Sequence, residues 1–175
     1  MRRVAVVGTT GSGKSTFAAA LAGRLGVPHI ELDAIYHQPN WTPLSDDEFR
    51  RRISEVVTGD GWVADGNYSK VRDLVWGAAD TVVVLAYSRA LVMRRVVART
   101  FGRMWQRQEL WNGNRERWTN LLSLVPEQNI IVWAWHTYDK NQERYLDALS
   151  DSQWGHLKFY RFTHPEEAAD FLTRL

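Results

Sequence analysis

The chain has no cysteine among its 175 residues. Disulfide bonds and thiolate metal sites are therefore excluded, and a reducing cytoplasm is the compartment we expect. No apolar run approaches the roughly 20 residues of a membrane-spanning helix, and the first apolar run ends at Gly8, too short for a signal-peptide core. Repeats and low-complexity tracts are also lacking. We therefore expect one domain over residues 1–175, with no membrane partner.

Acidic residues are scarce in one arginine-rich part of the chain, although the net charge is only +2. Between Ser88 and Trp118 there are eight arginines and two acidic residues. None of these cations is a lysine, which favours forked contacts to phosphate over general solubility. The stretch is typical of an element that faces a polyanion, and a solvated helix face is the alternative for part of it.

A phosphate-binding loop is predicted near the start of the chain, where residues 8–15 read G-T-T-G-S-G-K-S and fit G-x-x-x-x-G-K-[ST]. A short β-branched run precedes the loop and a run of helix formers follows it, as such a loop requires. Lys14 is predicted to lie over the β- and γ-phosphates of ATP, and the Ser15 hydroxyl to bind Mg²⁺. The predicted nucleotide-binding residues of this segment are Gly8, Thr10, Gly11, Ser12, Gly13, Lys14, Ser15 and Thr16.

Strands and helices alternate along the rest of the sequence. Hydrophobic patterns predict strands at 3–7, 29–32, 62–64, 81–85 and 157–162. Helices are predicted after the loop, at 46–58, from 89 onwards, at about 126–149 and at the C-terminal end, with capping boxes at Ser45 and Thr163. The segment around 130–133 also fits a strand, but its three-and-four spacing favours a helix. The weak periodicity of 101–118 predicts a flap. This alternation predicts an α/β fold with a parallel sheet covered on both faces.

Two carboxylates, Asp33 and Asp65, are predicted at the carboxyl ends of strands, where ligands bind in such sheets. One of the two is predicted to hold Mg²⁺ together with Ser15, and the other to accept a proton from an acceptor hydroxyl; for Asp33, a cap on the next element is the alternative. Three arginines at 50–52 are candidates to reach into the acceptor pocket. The histidines show no metal spacing, so no zinc site is expected.

Several blocks resemble a known family. Leu32-Asp33-Ala34-Ile35-Tyr36, Asp65-Gly66-Asn67-Tyr68 and residues 109–116 (E-L-W-N-G-N-R-E) are similar to blocks of the adenylate-kinase-like "topology modulation protein" group, related to nucleoside monophosphate and shikimate kinases. The resemblance implies the three-layer P-loop NTPase fold, a five-stranded parallel sheet of order 2-3-1-4-5. It also implies an acceptor-binding region at about 34–60 and an Arg-rich lid at about 101–120. The resemblance to shikimate kinases places Asp33 beside the acceptor, which leaves Asp65 with Ser15 for Mg²⁺.

The resemblance also assigns arginines. Arg95 and Arg99 match the paired arginines at the start of the adenylate kinase lid, so Arg95 is expected to bind the nucleotide and Arg99 to act on phosphate. Their i, i+4 spacing places both on one helix face. Arg115 lies in the lid block and is our candidate for the γ-phosphate. Asn67-Tyr68 replaces the Phe-Pro-Arg of adenylate kinases, which removes an acceptor-phosphate arginine unless Lys70 or Arg72 substitutes.

The sequence therefore predicts an ATP- and Mg²⁺-dependent phosphotransferase, with Lys14, Asp33, Arg99 and Arg115 as catalytic residues. The predicted partner is a small acceptor with a hydroxyl group. One alternative is a nucleoside monophosphate kinase; another is a nucleotide-dependent DNA-binding protein, which the compact arginine cluster and the lack of a DNA-reading motif disfavour. Both a monomer and a homodimer remain open.

Overall fold

The computed structural model of the chain describes residues 1–105, 109–114 and 129–175. The predictions for Arg115, for the later part of the lid and for the start of the helix at about 126 lie outside these residues.

A five-stranded parallel sheet forms the centre of the molecule, in the order β2-β3-β1-β4-β5. The strands are β1 (Arg3–Gly8), β2 (His29–Glu31), β3 (Trp62–Asp65), β4 (Thr81–Leu85) and β5 (Lys158–Phe162). The strands β3 and β4 are buried throughout, and β1 is buried after its first residue, as expected of parallel strands covered on both faces. The predicted fold class and strand order are confirmed.

Seven α-helices occur in the described ranges. They are α1 (Lys14–Leu25), α2 (Leu32–Tyr36), α3 (Asp46–Val56), α4 (Arg72–Ala78), α5 (Arg89–Trp105), α6 (Ile130–Ser150) and α7 (Pro165–Thr173). Buried residues of α3 and α4 join one core cluster with Ala5 and Val7 of β1. Buried residues of α1, α5 and α7 join a second cluster with Val4 and Val6. Alternate residues of β1 therefore face the two cores, which gives three layers.

Two differences from the predicted boundaries bear on the site. The strand β2 stops at Glu31, so Asp33 lies in the first turn of α2 rather than at a strand end; the Leu32 side chain, 3% exposed, packs against Gly66. The helix α5 continues to Trp105, so the predicted flap begins inside it.

The predicted cap at Thr163 is wrong, because His164 is the N-cap of α7. The Glu167 carboxylate accepts the N–H groups of Thr163 and His164 at 2.7 and 3.2 Å. The reason is Pro165 at the first helical position, which places the cap on the residue immediately before it. The ambiguous segment at 130–149 is helical, as its spacing favours.

None of the helices in the described ranges combines the length and the apolar composition needed to cross a bilayer.

Candidate active site

The loop between β1 and α1 has the backbone of an anion cradle. Gly11 and Gly13 have φ values of 85° and 88°, a region that L side chains rarely adopt. A Cβ atom on Gly11 would lie 2.4 Å from Val96 Cγ2 and 2.8 Å from the Val92 carbonyl. The loop therefore packs directly against α5, and Gly11 is required both by its backbone angles and by this close approach.

Polar groups of the loop are left for a ligand. The hydroxyls of Thr9 and Ser12 are buried and have no hydrogen-bond partner in the part of the chain described. Lys14 is the first residue of the 12-residue helix α1, whose N-terminal N–H groups and dipole favour an anion. In the same segment, Thr10 is half-buried and Thr16 is exposed. These features fit the phosphates of a nucleotide.

Ser15, Asp65 and His29 form a connected group beside the loop. The Ser15 hydroxyl donates to Asp65 Oδ2 at 2.6 Å, and His29 Nε2 lies 2.8 Å from Asp65 Oδ1. The Asp65 side chain is 3% exposed. Its hydrogen bond raises the pKa of His29, against the opposing effect of burial. A hydroxyl and a buried carboxylate at the P-loop are the oxygen ligands that Mg²⁺ prefers, so the residues present fit the ion.

Asn67 ties the phosphate loop to the end of β3. Its Nδ2 donates to the Gly8 carbonyl at 2.6 Å, and its Oδ1 accepts the Gly8 N–H at 3.3 Å. The backbone N–H and C=O of Gly8 are thereby both bound by one side chain. Asn67 adds to the direct pairing of β1 with β3 and to the Ser15–Asp65 hydrogen bond in holding the loop beside β3.

Tyr68, the next residue, holds Asp33. Its hydroxyl donates to Asp33 Oδ1 at 2.6 Å, and burial together with the Asp33 charge raises the pKa of Tyr68 well above its usual range. The phenol therefore stays protonated and remains a donor. Asp33 Oδ2 has no partner among the described residues. His37 Nε2 lies 3.4 Å from the same hydroxyl, and burial lowers the pKa of His37.

Two of the predicted site arginines, Arg95 and Arg99, lie on α5. Arg95 Nη1 donates to the Ser12 carbonyl at 3.1 Å, and its guanidinium lies 5.4 Å from the centre of the Tyr87 ring. Arg99 is half-buried one turn further along α5. This helix therefore presents Arg95 directly to the phosphate loop.

The three arginines at 50–52 form ion pairs with neighbouring carboxylates in the structure. Arg50 forms a two-pronged ion pair with Asp73, with N···O distances of 2.8 and 2.6 Å. Arg51 and Arg52 both bind Glu48. Lys70 binds Asp46 at 2.6 Å on the same exposed surface. Exposed ion pairs of this kind contribute little stability.

The first described part of the lid block contacts the acceptor-binding region. Asn114 is 3% exposed; its Oδ1 accepts the Trp41 N–H at 2.7 Å, and its Nδ2 donates to the Gln38 carbonyl at 3.0 Å. Asn112 Nδ2 donates to the His37 carbonyl at 2.6 Å. Residues 109–114 are therefore docked on residues 34–41, on the side of Asp33.

Sequence reasoning did not single out His29, Asn67 or Tyr68 as partners in the site. Asn67 and Tyr68 follow Asp65-Gly66 directly at the end of a predicted strand. This position is the sequence feature that could have indicated a role in the site. No sequence pattern indicates His29, because its contact with Asp65 depends on the register of β2 against β3.

No protein-family model and no curated protein matches the sequence. Solved structures do match over 99% of the chain. They include the shikimate kinase of Bacteroides thetaiotaomicron, with TM-score 0.60, 15% identity and 95% of that chain covered. The shikimate kinase of Acinetobacter baumannii, in complex with shikimate, matches with TM-score 0.58, 16% identity and 90% coverage. A sugar kinase from Janibacter sp. matches with TM-score 0.52, 17% identity and 93% coverage.

These likenesses establish the fold. The chain has the same fold as these three proteins, in agreement with the fold that the resemblance of its sequence blocks implies.

Proposed function

We propose that the chain is an ATP-dependent phosphotransferase that moves the γ-phosphoryl group of Mg-ATP to a hydroxyl of a small acceptor. One observation carries this proposal: three residues of the segment 65–68 bind three different parts of the site. Asp65 binds Ser15, Asn67 binds Gly8, and Tyr68 binds Asp33. A four-residue segment thus connects three parts of the site: Ser15, which with Asp65 is proposed to hold Mg²⁺, the phosphate loop, and Asp33.

On the donor side, the loop N–H groups and Lys14 bind the β- and γ-phosphates, and Arg95 and Arg99 add positive charge from α5. Ser15 and Asp65 are the residues that would hold Mg²⁺, which when bound neutralises charge on the phosphates. Phosphoryl transfer requires chiefly positioning and charge stabilisation from the protein. Arg115 remains our candidate for a lid residue on the γ-phosphate.

On the acceptor side, Asp33 takes the proton of the attacking hydroxyl. The hydroxyl oxygen bonds to the γ-phosphorus while the bond from that phosphorus to the bridging oxygen of ADP breaks, and the proton passes to Asp33 Oδ2. Tyr68 holds Asp33 Oδ1 and so leaves Oδ2 directed to the acceptor. A phosphate acceptor is already ionised and needs no such base, so Asp33 favours an alcohol.

A nucleoside monophosphate kinase is the second candidate. It needs a cation for the acceptor phosphate, and Lys70 is engaged by Asp46 on the surface. Arg72 instead lines a cavity beside Asn67 and Tyr68, which is the specific observation in favour of this candidate.

The proposal is tested by ADP release from Mg-ATP in the presence of nucleosides, nucleoside monophosphates, sugars and hydroxy acids. We expect at least one hydroxyl compound to raise ADP release above the rate without acceptor, and Lys14→Met to abolish the increase. Lys158→Met, at an exposed position of β5, is the matched control and should retain activity. Stimulation by nucleoside monophosphates alone would select the second candidate. Salt-sensitive duplex binding without any acceptor would contradict both and favour a DNA-binding role.

A further inference from the structure

His37 is the C-cap of the short helix α2 and lies one turn after Asp33. Its backbone N–H donates to the Asp33 carbonyl at 3.0 Å. The imidazole packs against the rings of Tyr36 and Trp41, with centroids 5.1 and 5.3 Å apart and the ring planes close to perpendicular. The orientation of the imidazole is therefore set by its aromatic neighbours.

The position of the proton on the His37 ring follows from its surroundings. Burial lowers the pKa of His37, against the opposing effect of the Asp33 charge, so the ring is neutral around neutral pH and carries one N–H. Nδ1 is buried and has no hydrogen-bond partner in the described part of the chain, whereas Nε2 lies 3.4 Å from the Tyr68 hydroxyl. A buried N–H donor without an acceptor is costly. The proton therefore belongs on Nε2, where the Tyr68 oxygen can accept it.

The Tyr68 hydroxyl then lies in the middle of a directed chain of hydrogen bonds. Its proton is donated to Asp33 Oδ1 at 2.6 Å, and its oxygen accepts the Nε2–H of His37. A hydroxyl that accepts a hydrogen bond becomes a stronger donor in the next one. An N–H at Nε2 also leaves no acceptor on that nitrogen, so the phenol proton cannot turn away from Asp33 towards the imidazole. His37 thus strengthens the bond that holds Asp33.

Residues 109–114 contact both the ring and the backbone of His37. The Trp111 ring lies 18° from parallel to the imidazole, with centroids 6.4 Å apart. The indole is itself held by Glu31, whose Oε2 accepts Trp111 Nε1–H at 2.8 Å. Asn112 Nδ2 donates to the His37 carbonyl at 2.6 Å. The place of the imidazole therefore depends on how this part of the lid block is docked.

We propose that His37 is a positioning residue that connects the docking of residues 109–114 to the orientation of Asp33. Trp111 and Asn112 place the imidazole, its Nε2–H orients the Tyr68 hydroxyl, and the hydroxyl holds Asp33 with Oδ2 directed to the acceptor. The inference rests on the proposed function and deepens it, because Asp33 is fully oriented as a base only when residues 109–114 are docked. Transfer to the acceptor is thereby coupled to the lid block.

The proton position on His37 is tested by NMR without turnover. Histidine side chains of ¹⁵N-labelled protein are observed around neutral pH, and the His37 signals are assigned by their loss in His37→Gln. We expect a neutral ring with its proton on Nε2. In Tyr68→Phe the Nε2 signal should shift, while the signals of exposed His136 stay in place. A proton on Nδ1, a charged ring, or an Nε2 signal that ignores Tyr68→Phe would overturn the inference, whatever the outcome of the ADP-release test.

Kinetics of His37 variants test the positioning role itself. His37→Phe keeps a ring beside Trp111 but removes the N–H, so kcat with the acceptor that most stimulates ADP release should fall about tenfold at an unchanged KM for ATP. His37→Gln retains a side-chain N–H and should recover most of this loss. Exposed His136→Phe is the matched control and should behave as the wild type does. A wild-type kcat in His37→Phe, or equal losses in the Phe and Gln variants, would overturn the role.

A double-variant comparison tests the connection to the lid block. Asn112→Ala removes the hydrogen bond to the His37 carbonyl and should lower kcat about threefold in the wild-type background. If Asn112 acts through the imidazole, the same substitution should have no further effect in His37→Phe. Equal effects of Asn112→Ala in both backgrounds would show that the two residues act independently and would overturn the coupling.

Discussion

Asn67 and Gly8, 59 positions apart in the sequence, are joined by two hydrogen bonds, from the Asn67 side-chain amide to the backbone N–H and C=O of Gly8. The Gly8 peptide is the last of β1 and the first of the phosphate loop. Asn67 therefore adds a side-chain link between the start of the loop and the end of β3, beside the direct pairing of β1 with β3. This arrangement makes the shape of the loop sensitive to a residue that need not touch the nucleotide.

Replacement of Asn67 by alanine should loosen the phosphate loop. Two partly buried hydrogen bonds are lost, so we expect the free energy of unfolding to fall by about 1 to 3 kcal/mol and the Kd for Mg-ATP to rise about tenfold. Denaturant unfolding and calorimetric titration measure both effects. Asn141→Ala, on α6 and without a hydrogen bond in the described residues, is the control. An unchanged Kd in the Asn67 variant would refute this role.

Two glycine substitutions should have opposite effects. Gly11→Ala places a Cβ atom 2.4 Å from Val96 Cγ2 at a φ of +85°, which should cost about 2 to 4 kcal/mol and abolish nucleotide binding. A Cβ atom on Gly23, inside α1, would have no atom within 4 Å. Gly23→Ala should therefore raise the free energy of unfolding by about 0.5 to 1 kcal/mol. Thermal melts with and without Mg-ATP compare the two. Equal effects would mean that the loop does not pack against α5 as described.

Stability should depend on pH through the pair of His29 and Asp65. The Asp65 hydrogen bond raises the pKa of His29 above 6.5, so the pair contributes fully below about pH 6.5 and its contribution is lost as pH rises through the folded-state value. Relative to the wild type, His29→Gln should be less stable by about 1.5 kcal/mol at about pH 6, and the difference should shrink in alkaline solution. Exposed His136→Gln provides the baseline. A difference that stays constant from about pH 5 to about pH 9 would contradict the ion pair.

The Tyr68 hydroxyl should affect the acceptor side alone. Tyr68→Phe removes the 2.6 Å hydrogen bond to Asp33, so kcat should fall about tenfold while the KM for ATP stays unchanged. Steady-state kinetics with the acceptor found in the ADP-release panel measure the separation. Tyr160→Phe, whose hydroxyl makes no hydrogen bond in the described ranges, should behave as the wild type. A rise in the KM for ATP with normal kcat would place Tyr68 on the donor side instead.

The sequence predicted the phosphate loop because its backbone shape depends on local residues. Gly11 and Gly13 must adopt left-handed angles, so the pattern of glycines carries the structure. The buried strands could be predicted equally well, since short β-branched runs between turn residues favour buried strands. The strand order followed from family resemblance, because local patterns do not determine which strands are neighbours.

The contacts that connect the site could not be predicted in the same way. The pairing of His29 with Asp65 depends on strand register, and the hydrogen bonds of Asn114 to Trp41 and Gln38 depend on how residues 109–114 pack on the acceptor-binding region. Asp33 was expected at a strand end and lies in a helix, because the short edge strand β2 pairs with β3 for only three residues. Such long-range geometry leaves no periodic signal in the sequence.

The most direct test of the central claim is the fate of the γ-phosphoryl group. Wild-type protein is incubated with Mg²⁺ and ATP labelled at the γ-phosphate, together with the acceptor that most stimulates ADP release, and the labelled products are separated. We predict that the label appears in an organic phosphate ester, and that Asp33→Asn forms less of it at unchanged ATP affinity. Label found solely as inorganic phosphate, at a rate independent of any acceptor, would contradict the account.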